Sequence, residues 1–285
     1  MARVVAVHGI WHQYSSKFDM RHEWANHLLG GIYSAIGVRS QKLLADAEVE
    51  CVFYGDVFRK PASMLGPGLV TDPFEVDLLM SWWRAAAAHG SVVSPDERTL
   101  AGSDIIRRAL IALAGSSFVG KRADSALIFG LGQVRSYFTM PDLRDKILSR
   151  FADAIQPDTQ VIVAHSLGSV IAYESLFAHP EWSIPALVTL GSPLAVPNLI
   201  LNRLQPSPDA GPPIRGKRPP QIREWTNIAA TNDFVALRKK LGDHFHGKIT
   251  DWEIDNGGSF HSALRYLNAE VTGRAVASAL GYVVS

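Results

Sequence analysis

One cysteine, Cys51, is all that this chain of 285 residues contains, which excludes an intrachain disulfide and points to a reducing compartment. It lies in the apolar run "VECVFYGD" with no base beside it and reads as a buried structural thiol. Neither sign of charge is in excess, with 28 Lys and Arg against 27 Asp and Glu. No strong field therefore favours nucleic acid or an acidic membrane surface. Long unbroken apolar runs are missing too. The longest uncharged stretch, residues 182–202, is interrupted by Pro185, Gly191, Pro193 and Pro197, so it does not read as a transmembrane segment. The opening "MARVVAVHGIW" has too short an apolar part and no small-residue cleavage site, so it does not read as a secretory signal. A cytoplasmic location is expected. No internal repeat is present.

What is present is an alternation of strand and helix patterns, the signature of a mostly parallel sheet covered on both faces. "RVVAVHG", "VECVFYGD", "TQVIVAHS", "ALVTLGSP", "EWTNIAAT" and "KITDWEID" read as about six strands. Amphipathic helices are expected at "RHEWANHLLGGIYSAIG", with Gly37 as its C-cap, and at "MPDLRDKILSRFADAI". "LGSVIAYESLFAH" and the tail after His261 read as further helices, the tail as one or two. Two segments stand outside the alternation. Residues 57–137 offer only helical pieces rich in large apolar groups, and are expected as an inserted helical cap over the sheet. Residues 205–221, "QPSPDAGPPIRGKRPPQ", are expected as a flexible proline-rich surface loop.

At "VIVAHSLGS" a buried strand gives way to a helix across one serine. This is the pattern of a nucleophile elbow, in which Ser166 takes a strained conformation and its neighbours two before and two after must be small. Ala164 and Gly168 meet that need. The amide of Leu167, at the start of the following helix, would face an oxyanion formed at the hydroxyl. Taken alone, the same pattern also fits a serine that merely caps a helix.

A nucleophilic serine needs a base, and the base needs a carboxylate to hold its tautomer. Asp233 follows the fifth strand in "NIAATNDFVA", and His261 follows the sixth in "EIDNGGSFHSALRYL". Both positions lie where strand ends converge on the crevice above such a sheet. Asp56, Asp251 and Asp255 compete for the acid role. Asp56 follows a strand on the far side of the nucleophile strand, and Asp255 is so close to His261 in sequence that it reads as a loop-shaping residue. The first strand ends in His8-Gly9, so the Ile10 amide is the candidate second oxyanion donor, with Trp11 as the alternative. His8 reads as a residue that orders this loop by hydrogen bonding. Trp82 and Trp83 could line an acyl pocket or simply pack the cap onto the core. His244 and His246, two apart, have no third partner at metal-binding spacing and read as solvated loop histidines. "GLG" near Leu131 follows no strand and does not read as a dinucleotide loop.

These stretches, "VHGIW", "AHSLGS", "TLGSPL", "TNDFVA" and "FHSALRYL", resemble the α/β-hydrolase superfamily over residues 2–56, 138–202 and 222–285. "AHSLGSVIAYESL" with "TLGSPLAV" is similar to lipase-type esterases and, more weakly, to phospholipases of the DDHD type. The resemblance implies a serine hydrolase acting through an acyl-enzyme, with Ser166 as nucleophile, His261 as base and Asp233 as acid, and with neither metal nor organic cofactor. Two residues depart from the common pattern: Ala164 stands for the usual glycine, and Phe234 for the proline often found after the acid. The expected substrate is a small acyl ester or lipid-like molecule with an apolar acyl group. A thioesterase, a peptidase or amidase, or an acyltransferase would use the same triad, because the acyl acceptor decides the outcome. A non-catalytic binding protein that keeps the fold is the rival from another class.

Overall fold

The β-branched runs become strands: β1 (Val4–Val7), β2 (Val49–Val52), β3 (Val161–His165), β4 (Ala186–Leu190), β5 (Glu224–Ala230) and β6 (Thr250–Ile254). They come from a computed structural model that describes residues 2–37, 44–59, 70–90, 92–93, 103–114, 124–258 and 261–284. The six strands pair in parallel throughout, in the order β2-β1-β3-β4-β5-β6. β1, β3 and β4 are buried at every position, as strands covered on both faces must be.

The twofold period of a strand divides the core into two layers. Val4, Ala6, Val161 and Val163 face one layer, which is completed by helices α1 (Lys17–Ile36), α7 (Ala263–Asn268) and α8 (Glu270–Ala279). Val5, Val7, Ile162 and Ala164 face the other. That layer is built from α2 (Pro73–Ala88), α3 (Ser103–Ala114), α4 (Asp124–Thr139), α5 (Pro141–Ala154) and α6 (Leu167–Ala178). No helix among the described residues is long and apolar enough to cross a membrane. Cys51 lies buried in β2.

Local chemistry sets the helix ends. α1 starts earlier than the apolar spacing suggests because the Ser16 side chain accepts the Asp19 N–H at 3.4 Å. Its end falls at Gly37, where φ is 70°. Asp72 caps α2 by accepting the Phe74 N–H at 2.9 Å, with Pro73 in the first turn. Within residues 57–137, every helix and strand element among the described residues is helical. Residues 205–221 carry several ties to the body. Gly216 exchanges backbone hydrogen bonds with His244 and His246, and the Tyr173 hydroxyl donates to the Lys217 carbonyl at 3.0 Å.

Strand order decides where a site can form. The chain leaves β1 for β2 on one side, then returns past β1 to β3, and the remaining strands add outward. The loop after β1 leads to α1 in one layer, whereas β3 leads directly to α6 in the other. Connections leaving neighbouring strands in opposite directions open a crevice at their carboxyl ends. Ile10 and Ser166 stand at that crevice.

Candidate active site

Ser166 is the residue between β3 and α6, and its backbone has φ 56° and ψ −129°. A non-glycine residue holds such a conformation only when its surroundings impose it. Here the imposition is packing against β1. A methyl group on Gly168 would lie 2.6 Å from the Val7 carbonyl oxygen, and one on Gly9 would lie 2.5 Å from the Ser166 Cβ. Glycine at both positions lets the first loop and the elbow touch. Ser169 steadies the turn, its hydroxyl lying 2.6 Å from the Ser166 carbonyl and 2.7 Å from the Ser192 hydroxyl. Ser192 belongs to "TLGSPL" after β4.

Asp233 follows β5 and is fully buried. One carboxylate oxygen accepts the N–H groups of Val235 at 2.9 Å and Ala236 at 3.3 Å. The other lies 2.7 Å from His261 Nδ1 and accepts the Tyr266 hydroxyl at 2.7 Å. Burial would raise this carboxyl, but the charge and hydrogen bond of His261, with Lys239 and Tyr266, hold it below its usual value. An ionised carboxylate only accepts, so His261 carries a proton on Nδ1 and donates it to Asp233, and Nε2 is the ring nitrogen that the carboxylate does not engage. The Tyr266 hydroxyl also accepts the Ala230 N–H at 2.6 Å, which ties the end of β5 to α7. Gly191, at φ 53°, leaves the room: a side chain there would come within 2.7 Å of Asp233 Oδ2 and 3.1 Å of His261 Nδ1. The His261 ring lies 4.5 Å, centre to centre, from that of His165, the residue next to Ser166. Serine, histidine and aspartate thus share one end of the sheet.

The competing carboxylates are engaged elsewhere. Asp56 forms a two-pronged pair with Arg150, one arm at 3.0 Å, and that hydrogen bond lowers its carboxyl below the usual value. Asp251 accepts the N–H groups of Leu241 at 2.8 Å and Gly242 at 2.9 Å, and Asp255 accepts that of Gly257 at 2.7 Å. His246 lies 3.1 Å from Asp209, and no metal-holding group of His, Cys, Asp and Glu occurs among the described residues.

The loop after β1 is held from below by His8. Its Nε2 accepts the Tyr54 N–H at 3.1 Å, so Nδ1 carries the proton and donates to the Gly9 carbonyl at 2.7 Å. The ring stacks on Tyr54 at 4.0 Å, and burial together with nearby His12 keeps it neutral. The Tyr54 hydroxyl also reaches the Gly9 carbonyl, at 3.1 Å. In a trans peptide the N–H points opposite to the carbonyl, so the Ile10 N–H is turned away from His8 and Tyr54. The Ile10 amide has no acceptor among the described residues. The Trp11 amide, the alternative donor, is taken: it donates to Gln133 Oε1 at 2.8 Å.

Over Ser166 lies a small cavity of about 20 Å³, room for about one water. Ile10, Leu167, Leu78, Trp82, Val134 and Val235 supply much of its apolar wall. Trp82 therefore faces the serine, whereas Trp83 is off this wall and donates its indole N–H to the Val93 carbonyl. A larger open depression of about 880 Å³ runs along β2; Asp56 lies on its wall, whereas Ser166, Asp233 and His261 do not. Tyr266, Ser192 and Gln133 are the polar contributors that the sequence pattern did not single out. No family model, curated protein or solved structure matches this chain.

Proposed function

We propose that the chain is a serine hydrolase of the α/β-hydrolase type that cleaves a carboxylic ester with an apolar acyl group. The observation that carries the reading is the 2.7 Å contact of His261 Nδ1 with a buried Asp233 carboxylate, at the sheet end where Ser166 is held in a strained turn. In this reading His261 Nε2 takes the proton from Ser166 as Oγ attacks the ester carbonyl carbon. The carbonyl oxygen gains negative charge and lies against the amides of Ile10 and Leu167. Collapse expels the alcohol, which receives the proton from His261. Water, deprotonated by the same ring, then attacks the acyl-enzyme and releases the acid, regenerating Ser166.

The wall of Leu78, Trp82, Val134 and Val235 favours an acyl chain over a charged one, because an unpaired charge there would lose its hydration. With Ser166 at 1% exposure, the helices from residues 57–137 act as a cap that must move to admit substrate. Turnover of p-nitrophenyl esters of rising chain length tests the proposal. Measurable kcat is expected for the wild type, with a loss of roughly six orders of magnitude in Ser166→Ala, on the precedent of triad deletions. Near-native activity in that variant would overturn it.

A further inference from the structure

The loop that offers the Ile10 amide is held from above by the inserted helices as well as from below by His8. α4 carries Gly130, Gln133, Val134 and Tyr137 at helical spacing along one face. At Gly130 the helix backbone meets the Trp11 indole so closely that a methyl group would lie 2.4 Å from its Nε1. One turn on, Gln133 is 2% exposed and accepts the Trp11 N–H at 2.8 Å, while its own amide donates to Gln13 at 3.2 Å. Val134 lines the cavity over Ser166. A further turn on, the Tyr137 hydroxyl donates to Glu174 of α6 at 2.5 Å, and Glu174 is also paired with Arg144 at 2.5 Å. The same helix is thus anchored to the core at its carboxyl end and grips the first loop in its middle.

Trp11 has φ 73°, a conformation that a bulky L-residue does not hold unaided. Its N–H bond to Gln133 fixes one side of Ile10, and the Gly9 carbonyl bonds to His8 and Tyr54 fix the other. We infer that Gln133 is a positioning residue for the oxyanion amide, so that the oxyanion site is complete only while α4 is seated over the serine. This rests on the hydrolase reading above. Substrate entry and transition-state stabilisation are thereby coupled: a cap that lifts to admit an ester releases Trp11, and a cap that closes restores the donor.

Two measurements on the full chain test the inference. Hydrogen exchange followed by mass spectrometry reports the Trp11 amide whether or not the protein is an esterase. Gln133→Met, which removes the acceptor at similar volume, is expected to speed exchange in the peptide containing Trp11 while peptides from β3 and β4 are unchanged. Steady-state kinetics on a p-nitrophenyl ester are expected to show kcat down by roughly 10- to 100-fold, with KM changed by less than about threefold, since one transition-state donor is displaced rather than the substrate pocket removed. Gln133→Glu, which keeps an acceptor for the Trp11 N–H, is expected to recover most of that loss, and it serves as the folded comparison should Gln133→Met be unstable. Unchanged exchange at Trp11 in Gln133→Met, or a loss of kcat equal in the Met and Glu variants, overturns the inference. Faster exchange in a chain whose wild type turns over no ester would leave the contact standing and remove the hydrolase reading instead.

Discussion

Acid should destabilise this protein well above the range where carboxylates titrate, because His8 and His165 are both buried as neutral rings. Burial lowers the pKa of each far below 6.5, and neighbouring imidazoles push the same way, His12 beside His8 and His261 beside His165. The unfolded chain binds protons near pH 6.5 that the folded chain refuses. Stability is therefore complete above that value and declines as pH falls through it. A ring that stays neutral in the fold contributes a loss of up to about 1.4 kcal/mol per pH unit, or about 2 kcal/mol between pH 7.5 and 5.0. Two such rings remove about 4 kcal/mol, a large part of a typical folding free energy of about 5–15 kcal/mol. Glu174 acts in the opposite sense, since burial raises its carboxyl and its protonation in the fold adds stability at low pH. A variant comparison separates the terms. Urea unfolding at pH 7.5 and 5.0 should show a drop about 2 kcal/mol smaller in His8→Gln than in the wild type. The variant will be weaker at both pH values, having lost the Tyr54 stack, but only the difference between drops reports the titration. Equal drops in the two proteins would refute the assignment of His8 as a buried neutral ring.

Three other perturbations follow from the site. Asp233→Asn should lower kcat by about 10⁴-fold with little change in KM, because an amide can hold the imidazole in the wrong tautomer. Tyr266→Phe removes a donor to Asp233 and strands the buried Ala230 N–H; a loss of about 1–3 kcal/mol in urea unfolding is expected. Arg144→Met leaves the Glu174 carboxylate buried without its cation, and thermal unfolding should report about 3–5 kcal/mol of destabilisation.

The parts of the fold legible in the sequence were those that burial alone dictates. β1, β3 and β4 are covered on both faces and so write themselves as nearly continuous apolar runs, with Thr189 and the terminal His165 as the polar exceptions. Ser166 stood out for a steric reason, since the elbow tolerates only small neighbours, and Gly168 meets the Val7 carbonyl as that pattern requires. Asp233 and His261 are singled out by their places after β5 and β6 and by the resemblance of "TNDFVA" and "FHSALRYL", and the two side chains lie 2.7 Å apart. Tyr266 escaped because it sits at a core position of α7, where an aromatic ring needs no further explanation. Its hydroxyl partners, Asp233 and Ala230, are distant in sequence. Gln133 escaped for a similar reason: in the stretch "GLGQVRSYF" nothing marks one polar side chain as reaching a loop after β1. Helix spacing marked the inserted segment as helical, yet which indole lines the cavity beside the serine, Trp82 rather than Trp83, depends on the rotation of α2 about its axis.

Intact-mass and peptide mass spectrometry after exposure of the folded chain to a fluorophosphonate tests the nucleophile most directly. One phosphonyl adduct is expected on Ser166 in the wild type, absent in Ser166→Ala and formed orders of magnitude more slowly in His261→Ala. An unlabelled wild-type chain, or an adduct carried by a different residue, would contradict the assignment of Ser166 as an activated nucleophile.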